Sequence, residues 1–140
     1  MKCGHLTKCV ESQLNGEKVK TCVNDIKNCI VSSDKRSNVK CEERKKKYIL
    51  ENTNKNQVIL YKMDGGIISL DKSVDAGLCK CDYLFVLNTA VRDAVLVELK
   101  GVDVAHSLKQ INGALEQFKD FFKTTAQVYG RVVVTSSTPN

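Results

Sequence analysis

Residues 81–101 read CDYLFVLNTAVRDAVLVELKG, and they decide how the rest of the chain is organised. Two nearly continuous apolar runs, Cys81 to Leu87 and Ala94 to Lys100, flank the polar segment Asn88–Asp93. Runs without polar alternation belong to strands of a sheet covered on both faces. A connection this short makes the two strands an antiparallel hairpin. Gly101 ends the second strand and Asp103 is placed to cap a helix. Val104, Leu108, Ile111, Leu115, Phe118 and Phe122 recur at steps of three and four, which predicts one helix over about 104–123 with that stripe inward. Val128 to Thr135, centred on three valines, reads as a buried strand.

Working back toward the N-terminus, Gln57–Met63 reads as a strand and Tyr48–Leu50 as a shorter one, with the turn cluster Asn52–Asn56 between them. Asp64-Gly65-Gly66 is a tight-turn signal, and Ile67–Leu70 is the expected hairpin partner. Residues 71–80 read as a loop. Leu6, Cys9, Val10 and Leu14 allow a short helix. Val19, Cys22, Val23, Ile26, Cys29 and Ile30 predict an amphipathic helix over Glu17–Val31, and residues 32–38 read as a loop. The expectation is one α/β domain over 1–140, with a helical part at 1–38 and a core at 39–140. The core is a mixed central β-sheet flanked by helices.

At 140 residues the chain suits one domain. With 42% hydrophobic and 27% charged residues it is globular in composition. No apolar run nears the roughly 18 residues of a membrane span. The first residues lack an apolar segment of the secretory kind, so a cytoplasmic setting is expected. The seven cysteines are then read as reduced thiols. Cys3, His5, Cys9, Cys79 and Cys81 lack the paired knuckles of a structural zinc site. The net charge is +6, and its excess lies in the first third, densest at Lys40, Arg44, Lys45, Lys46 and Lys47. Such a segment suits a polyanion. Trp is absent and there are only four Tyr and four Phe, which argues against a base-stacking platform.

Three ionisable residues interrupt the apolar hairpin: Asp82, Glu98 and Lys100. Burying a charge is expensive unless it is paired or bound to a metal. Glu98 and Lys100 are two apart and share a strand face. In an antiparallel pair the index sum is constant; a sum of 182 sets Asp82 opposite Lys100, and 180 sets it opposite Glu98. Either even sum puts all three on one face, and an odd sum separates them. Two carboxylates about 4 Å apart repel by roughly 4 kcal/mol at an effective dielectric near 20. A hard divalent cation relieves that repulsion, and an all-oxygen donor set favours Mg²⁺ or Mn²⁺.

Lys80-Cys81-Asp82-Tyr83-Leu84-Phe85, then Val95-Leu96-Val97-Glu98-Leu99-Lys100-Gly101, then a helix carrying Gln110, resembles the PD-(D/E)XK nuclease superfamily. The resemblance spans roughly residues 40–136 and implies a restriction endonuclease-like αβββαβ core. It implies Asp82 and Glu98 as metal-binding carboxylates, the Leu99 carbonyl as a further ligand, Lys100 as the catalytic lysine and Gln110 as the glutamine some branches carry. Cys81 stands where the family's name has proline. Ala114 stands where RecB-type members have tyrosine. Many members add a glutamate from the first helix, and Glu42, Glu43 and Glu51 are candidates. On this reading the chain is a metal-dependent nuclease acting on nucleic acid, DNA in the first instance. Lys40 and Arg44–Lys47 would hold the backbone, and a two-fold dimer would cut both strands of a duplex. The alternatives are a catalytically inactive nuclease-fold module that binds nucleic acid, and a cysteine-based metal or redox protein.

Overall fold

A computed structural model describes residues 6–16, 29–67, 81–101 and 103–134. The elements are α1 (Leu6–Leu14), β1 (Ile30–Asp34), β2 (Asn38–Glu43), β3 (Lys46–Glu51), β4 (Gln57–Lys62), a π-helical turn (Met63–Ile67), β5 (Tyr83–Asn88), β6 (Arg92–Gly101), α2 (Val104–Gln117), α3 (Lys119–Phe122) and β7 (Gln127–Val134). Five strands form one sheet in the order β1-β4-β5-β6-β7, and β2 pairs with β3 in a separate hairpin. The first three pairings of the sheet are antiparallel; β7 returns parallel to β6 after the two helices. The chain is therefore mixed α/β. Among the described residues no helix is long and apolar enough to cross a membrane.

Alternate residues of the central strands feed two cores. Ile59, Tyr61, Leu84, Val86, Ala94 and Leu96 pack with Leu6 and Val10 of α1 and with Ile111, Ala114, Phe118 and Phe121. Val58, Leu60, Tyr83, Phe85, Val95, Val97 and Leu99 pack with Val39, Cys41, Tyr48 and Leu50 of the β2–β3 hairpin. Both faces are covered, as the apolar runs of β5 and β6 require. Among the described residues the second cover is this hairpin, where the sequence reading expects flanking helices on both sides. Its inward residues alternate with outward Lys40, Glu42, Lys47 and Ile49, so a two-stranded ribbon presents one apolar face to the sheet. Tyr48 meets Phe85 edge-on, with ring centroids 5.8 Å apart.

Four further local expectations change. Ile30 and Val31, read as the end of a helix, belong with Ser32, Ser33 and Asp34 to edge strand β1, paired to β4. The part of that helix over 17–28 lies outside the described residues. The Asp64-Gly65-Gly66 signal is realised as a π-helical turn that buries Met63 and Ile67; the strand partner expected at 68–70 lies outside the described residues, as does the 71–80 loop. The long helix breaks at Phe118, whose φ of −112° leaves helical values, so α2 and α3 replace one helix. Its buried face is also rotated. Ser107, Ile111 and Ala114 face inward, while Val104 and Leu108 are 50% and 49% exposed. The helix packs on this part of the sheet through Ile111: a Cβ built on Gly130 of β7 would meet it at 3.5 Å, an ordinary van der Waals contact.

Candidate functional site

Four polar or charged residues are buried among those described: Asn52, Ser107, Asp82 and Glu98. Asn52 is a fold device. Its amide donates to the carbonyls of Arg36 and Asn56 and its oxygen accepts from the Asn56 amide. The two acids, 1% and 4% exposed, both lie at one end of the β5–β6 pair. Tyr83 faces Val97 and Leu84 faces Leu96, so the index sum is 180. This register runs Asp82 to the level of Glu98.

The strand does not continue regularly to Asp82. The Asp82 amide donates to the Val97 carbonyl at 3.1 Å, and Val97 is also the partner of Tyr83. Two residues thus face one, the arrangement of a β-bulge, which re-aims side chains. Cys81 shows the reset: it belongs to the helix-side core, although unbroken alternation from Tyr83 would send it to the hairpin side. The Asp82 carboxylate turns along the ladder, where Oδ2 accepts the Leu99 amide at 2.7 Å. In β6, alternation groups Glu98 with Ala94 and Leu96, and Leu99 with Val95 and Val97. Even register therefore does not by itself give a shared face here. What joins the two acids is the end of the strand pair and the Leu99 backbone between them.

The donors that gather there are two carboxylates and the Leu99 peptide, a hard, all-oxygen set once the carbonyl is counted. That chemistry fits Mg²⁺ or Mn²⁺, which take one or two carboxylates and complete their shell with water or phosphate oxygens. Among the described residues no three His, Cys, Asp or Glu side chains group to hold a metal. Burial of the thiol pushes Cys41 up to about 12, with the negative charge of Asp82 and then Glu43 adding to it. Burial also pushes the Tyr83 phenol up to about 12, helped by Glu43, Cys41 and Asp82. Of the three early glutamates, Glu42 and Glu51 are exposed on the outer face of the hairpin, and half-buried Glu43 is the one within electrostatic reach of Tyr83 and Cys41.

The Lys100 side chain lies outside the described residues; its backbone belongs to β6. Gln110 lies on the polar stripe of α2, its Nε2 3.2 Å from His106 Nε2, and Asp103 caps that helix by accepting the His106 amide. Lys40, Arg44, Lys45, Lys46 and Lys47 all fall on the β2–β3 hairpin. Lys40 is paired to Glu42 at 3.2 Å. Arg44 and Lys45 form the two-residue turn, with φ of 49° and 70°. Positive φ at both positions is the signature of a type I′ turn, whose favoured sequence is Asn-Gly. A left-handed non-glycine residue costs roughly 1–2 kcal/mol.

Two features escaped the sequence reading. One is that the basic segment is a hairpin lying over the sheet. The other is a surface cavity of about 490 Å³ at the opposite end of β5 and β6, lined by Asn88, Thr89, Arg92, Thr124 and Thr125. Cys9, Cys29, Cys41 and Cys81 are buried free thiols, while Cys3, His5, Cys22 and Cys79 lie outside the described residues. No protein-family model, curated protein or solved structure compared with the chain matches it.

Proposed function

We propose that the chain is a metal-dependent nuclease that hydrolyses phosphodiester bonds, with DNA as its substrate, on a restriction endonuclease-like core. The observation that supports it best is the burial of two carboxylates, Asp82 and Glu98, at one end of an antiparallel strand pair. Glu98 opens a Glu-x-Lys sequence on the strand that leads into α2. Burying two acids at one strand end is costly unless a cationic group or a metal joins them.

Asp82 and Glu98 would hold Mg²⁺ or Mn²⁺ with the Leu99 carbonyl. When bound, the cation supplies a polarised water and charge for the phosphoryl oxygens. The Leu99 amide fixes the Asp82 carboxylate, so one ligand is oriented in advance. Lys100 would orient the attacking water and oppose the charge that builds on phosphorus. Gln110 would serve as a positioning residue from α2. The matching test is cleavage of linear and supercoiled duplex DNA with Mg²⁺ or Mn²⁺. Glu98→Ala and Lys100→Ala should each lower the rate at least a hundredfold while the circular dichroism spectrum is retained. Undiminished cleavage by both would refute the assignment. Salt-dependent binding with no cleavage by the unmodified protein under either metal would favour the inactive module.

A further inference from the structure

The hairpin's basic turn stands at the same end of the sheet as the buried acids. Tyr48 of β3 packs on Phe85. One alternation step along β5, the Tyr83 hydroxyl donates to the Glu42 carbonyl at 3.5 Å. Moving from Phe85 toward Asp82 therefore moves along the hairpin toward its turn, which follows Glu43. Asp82 and Glu43 both act on Cys41 and Tyr83, which places them around the same two side chains.

The charge on this hairpin is graded toward its tip. Lys40 is neutralised by Glu42, and Lys47 lies across from that same glutamate. Lys46 lies across from Glu43. Arg44 and Lys45 have no acidic residue opposite them, and among the described residues none of Arg44, Lys45, Lys46 and Lys47 is in an ion pair. The two tip residues also hold the left-handed backbone that glycine and asparagine favour. A sequence chosen for the turn alone would place Asn-Gly there. This one places two cations in a disfavoured conformation, beside two more.

From these observations we infer that the β2–β3 hairpin is a phosphate-gripping clamp for double-stranded DNA that presents the duplex backbone to the Asp82–Glu98 end of the sheet. The inference rests on the nuclease reading for its purpose, and on the hairpin alone for its binding. Duplex is favoured over single strand because the tip offers charge and no stacking surface. The Tyr48 ring is occupied by Phe85, Tyr83 is buried, and no other aromatic residue lies between 38 and 51. Single-strand binders rely on aromatic stacking, whereas duplex DNA carries one charge per 1.7 Å or so of axis. Contacts of this kind position the duplex without reading its bases.

The test is fluorescence anisotropy with a labelled 20-base-pair duplex and the matching single strand, in EDTA, over a salt series. The double variant Arg44→Asn, Lys45→Gly keeps the type I′ turn in its preferred sequence, so its melting temperature should equal or exceed the parent's. It should lose about tenfold or more in duplex affinity and about two from the slope of log K against log salt, at roughly 0.9 per phosphate contact. Lys46→Gln with Lys47→Gln, on the strand, should lower the slope by a similar amount. Duplex affinity and slope unchanged in both variants, or tighter binding of the single strand by the parent, would overturn the clamp. Because that measurement needs neither metal nor cleavage, failure of the nuclease reading and failure of the clamp are distinguishable.

Discussion

Replacing Asp82 two ways separates what its carboxylate does for the fold from what it does as a charge. Oδ2 accepts the amide of fully buried Leu99 at 2.7 Å, short for an N–H···O contact and consistent with a charged acceptor. Asp82→Ala leaves that amide buried without its acceptor, a loss of about 2–3 kcal/mol. At roughly 3–4 °C per kcal/mol for a chain of this length, the melting temperature should fall by about 8 °C. Asp82→Asn keeps an oxygen that can accept the Leu99 amide, but it removes the charge and puts an NH2 group in place of the second oxygen, so it should cost less than Asp82→Ala. The divalent response divides the other way. A metal present at a hundred times its dissociation constant stabilises the native state by about 2.7 kcal/mol, and both variants should lose that increment. Urea unfolding followed by circular dichroism, with and without Mn²⁺, reads both quantities. Asp82→Asn as unstable as Asp82→Ala would refute the role given to the Leu99 bond. Asp82→Asn that is still stabilised by Mn²⁺ and still cleaves would refute the role given to the charge.

Two more outcomes follow from the same geometry. Asn52→Ala removes three hydrogen bonds from a buried side chain that ties Arg36 to Asn56, so it should cost about 2–3 kcal/mol; a loss below about 0.5 kcal/mol in urea would contradict it. Because Cys41 and Tyr83 are held at about 12 in the folded state, against 9.0 and 10.0 unperturbed, the folded chain keeps protons that the unfolded chain releases. Stability from these groups is fully present below about pH 9 and is lost as pH rises toward 12. Cys41→Val should flatten that alkaline decline, and the native Cys41 thiol should resist an aromatic disulfide reagent at pH 8; an unchanged decline, or reaction at the unfolded rate, would count against it.

The parts of the fold legible in sequence are those whose pattern is set by local burial. β5 and β6 read as strands because both faces of each are covered, and that cover is set by the two cores on either side of the sheet. β4 was legible for the same reason. β7 reads in sequence as a buried strand, but it is the edge strand of the sheet and none of its eight residues is buried; the three valines signal strand and not burial. β3 was legible only as Tyr48–Leu50, and β2 with its pairing to β3 was not, because the inward residues Val39, Cys41, Tyr48 and Leu50 are separated by lysines and glutamates that dominate the composition. A charge count registers a basic segment there; only the period of two, Val39-x-Cys41 and Tyr48-x-Leu50, marks the ribbon. The α2 stripe misled for a different reason. Helical spacing fixes that a face is apolar but not how close the helix can come. Ser107, Ile111 and Ala114 take the inward position against β6 and β7, while Val104 and Leu108 stay half exposed.

The candidate site shows where pattern arithmetic stops. The observed index sum of 180 brings Asp82 to the level of Glu98; in sequence the register stays open between 180 and 182, because Glu-x-Lys and the Asp at the ends of two apolar runs allow either. The face is not legible, since a period-two argument holds only while each residue has one partner. At Asp82 it has an extra one: Asp82 and Tyr83 share Val97, and the Asp82 side chain takes up the Leu99 amide that a further strand residue would otherwise meet. A bulge of this kind appears in sequence only as a polar residue ahead of an apolar run, a description that fits many strand starts. It matters chemically because it ends the β5–β6 ladder in a carboxylate where a backbone carbonyl would otherwise accept. That places a fixed carboxylate at the register level of Glu98, and the hairpin turn that carries Arg44 and Lys45 stands at the same end. An irregular strand end, buried acids and a strained cationic turn each lower stability alone. Their coincidence at one end of the sheet is what a binding site explains and a stability requirement does not.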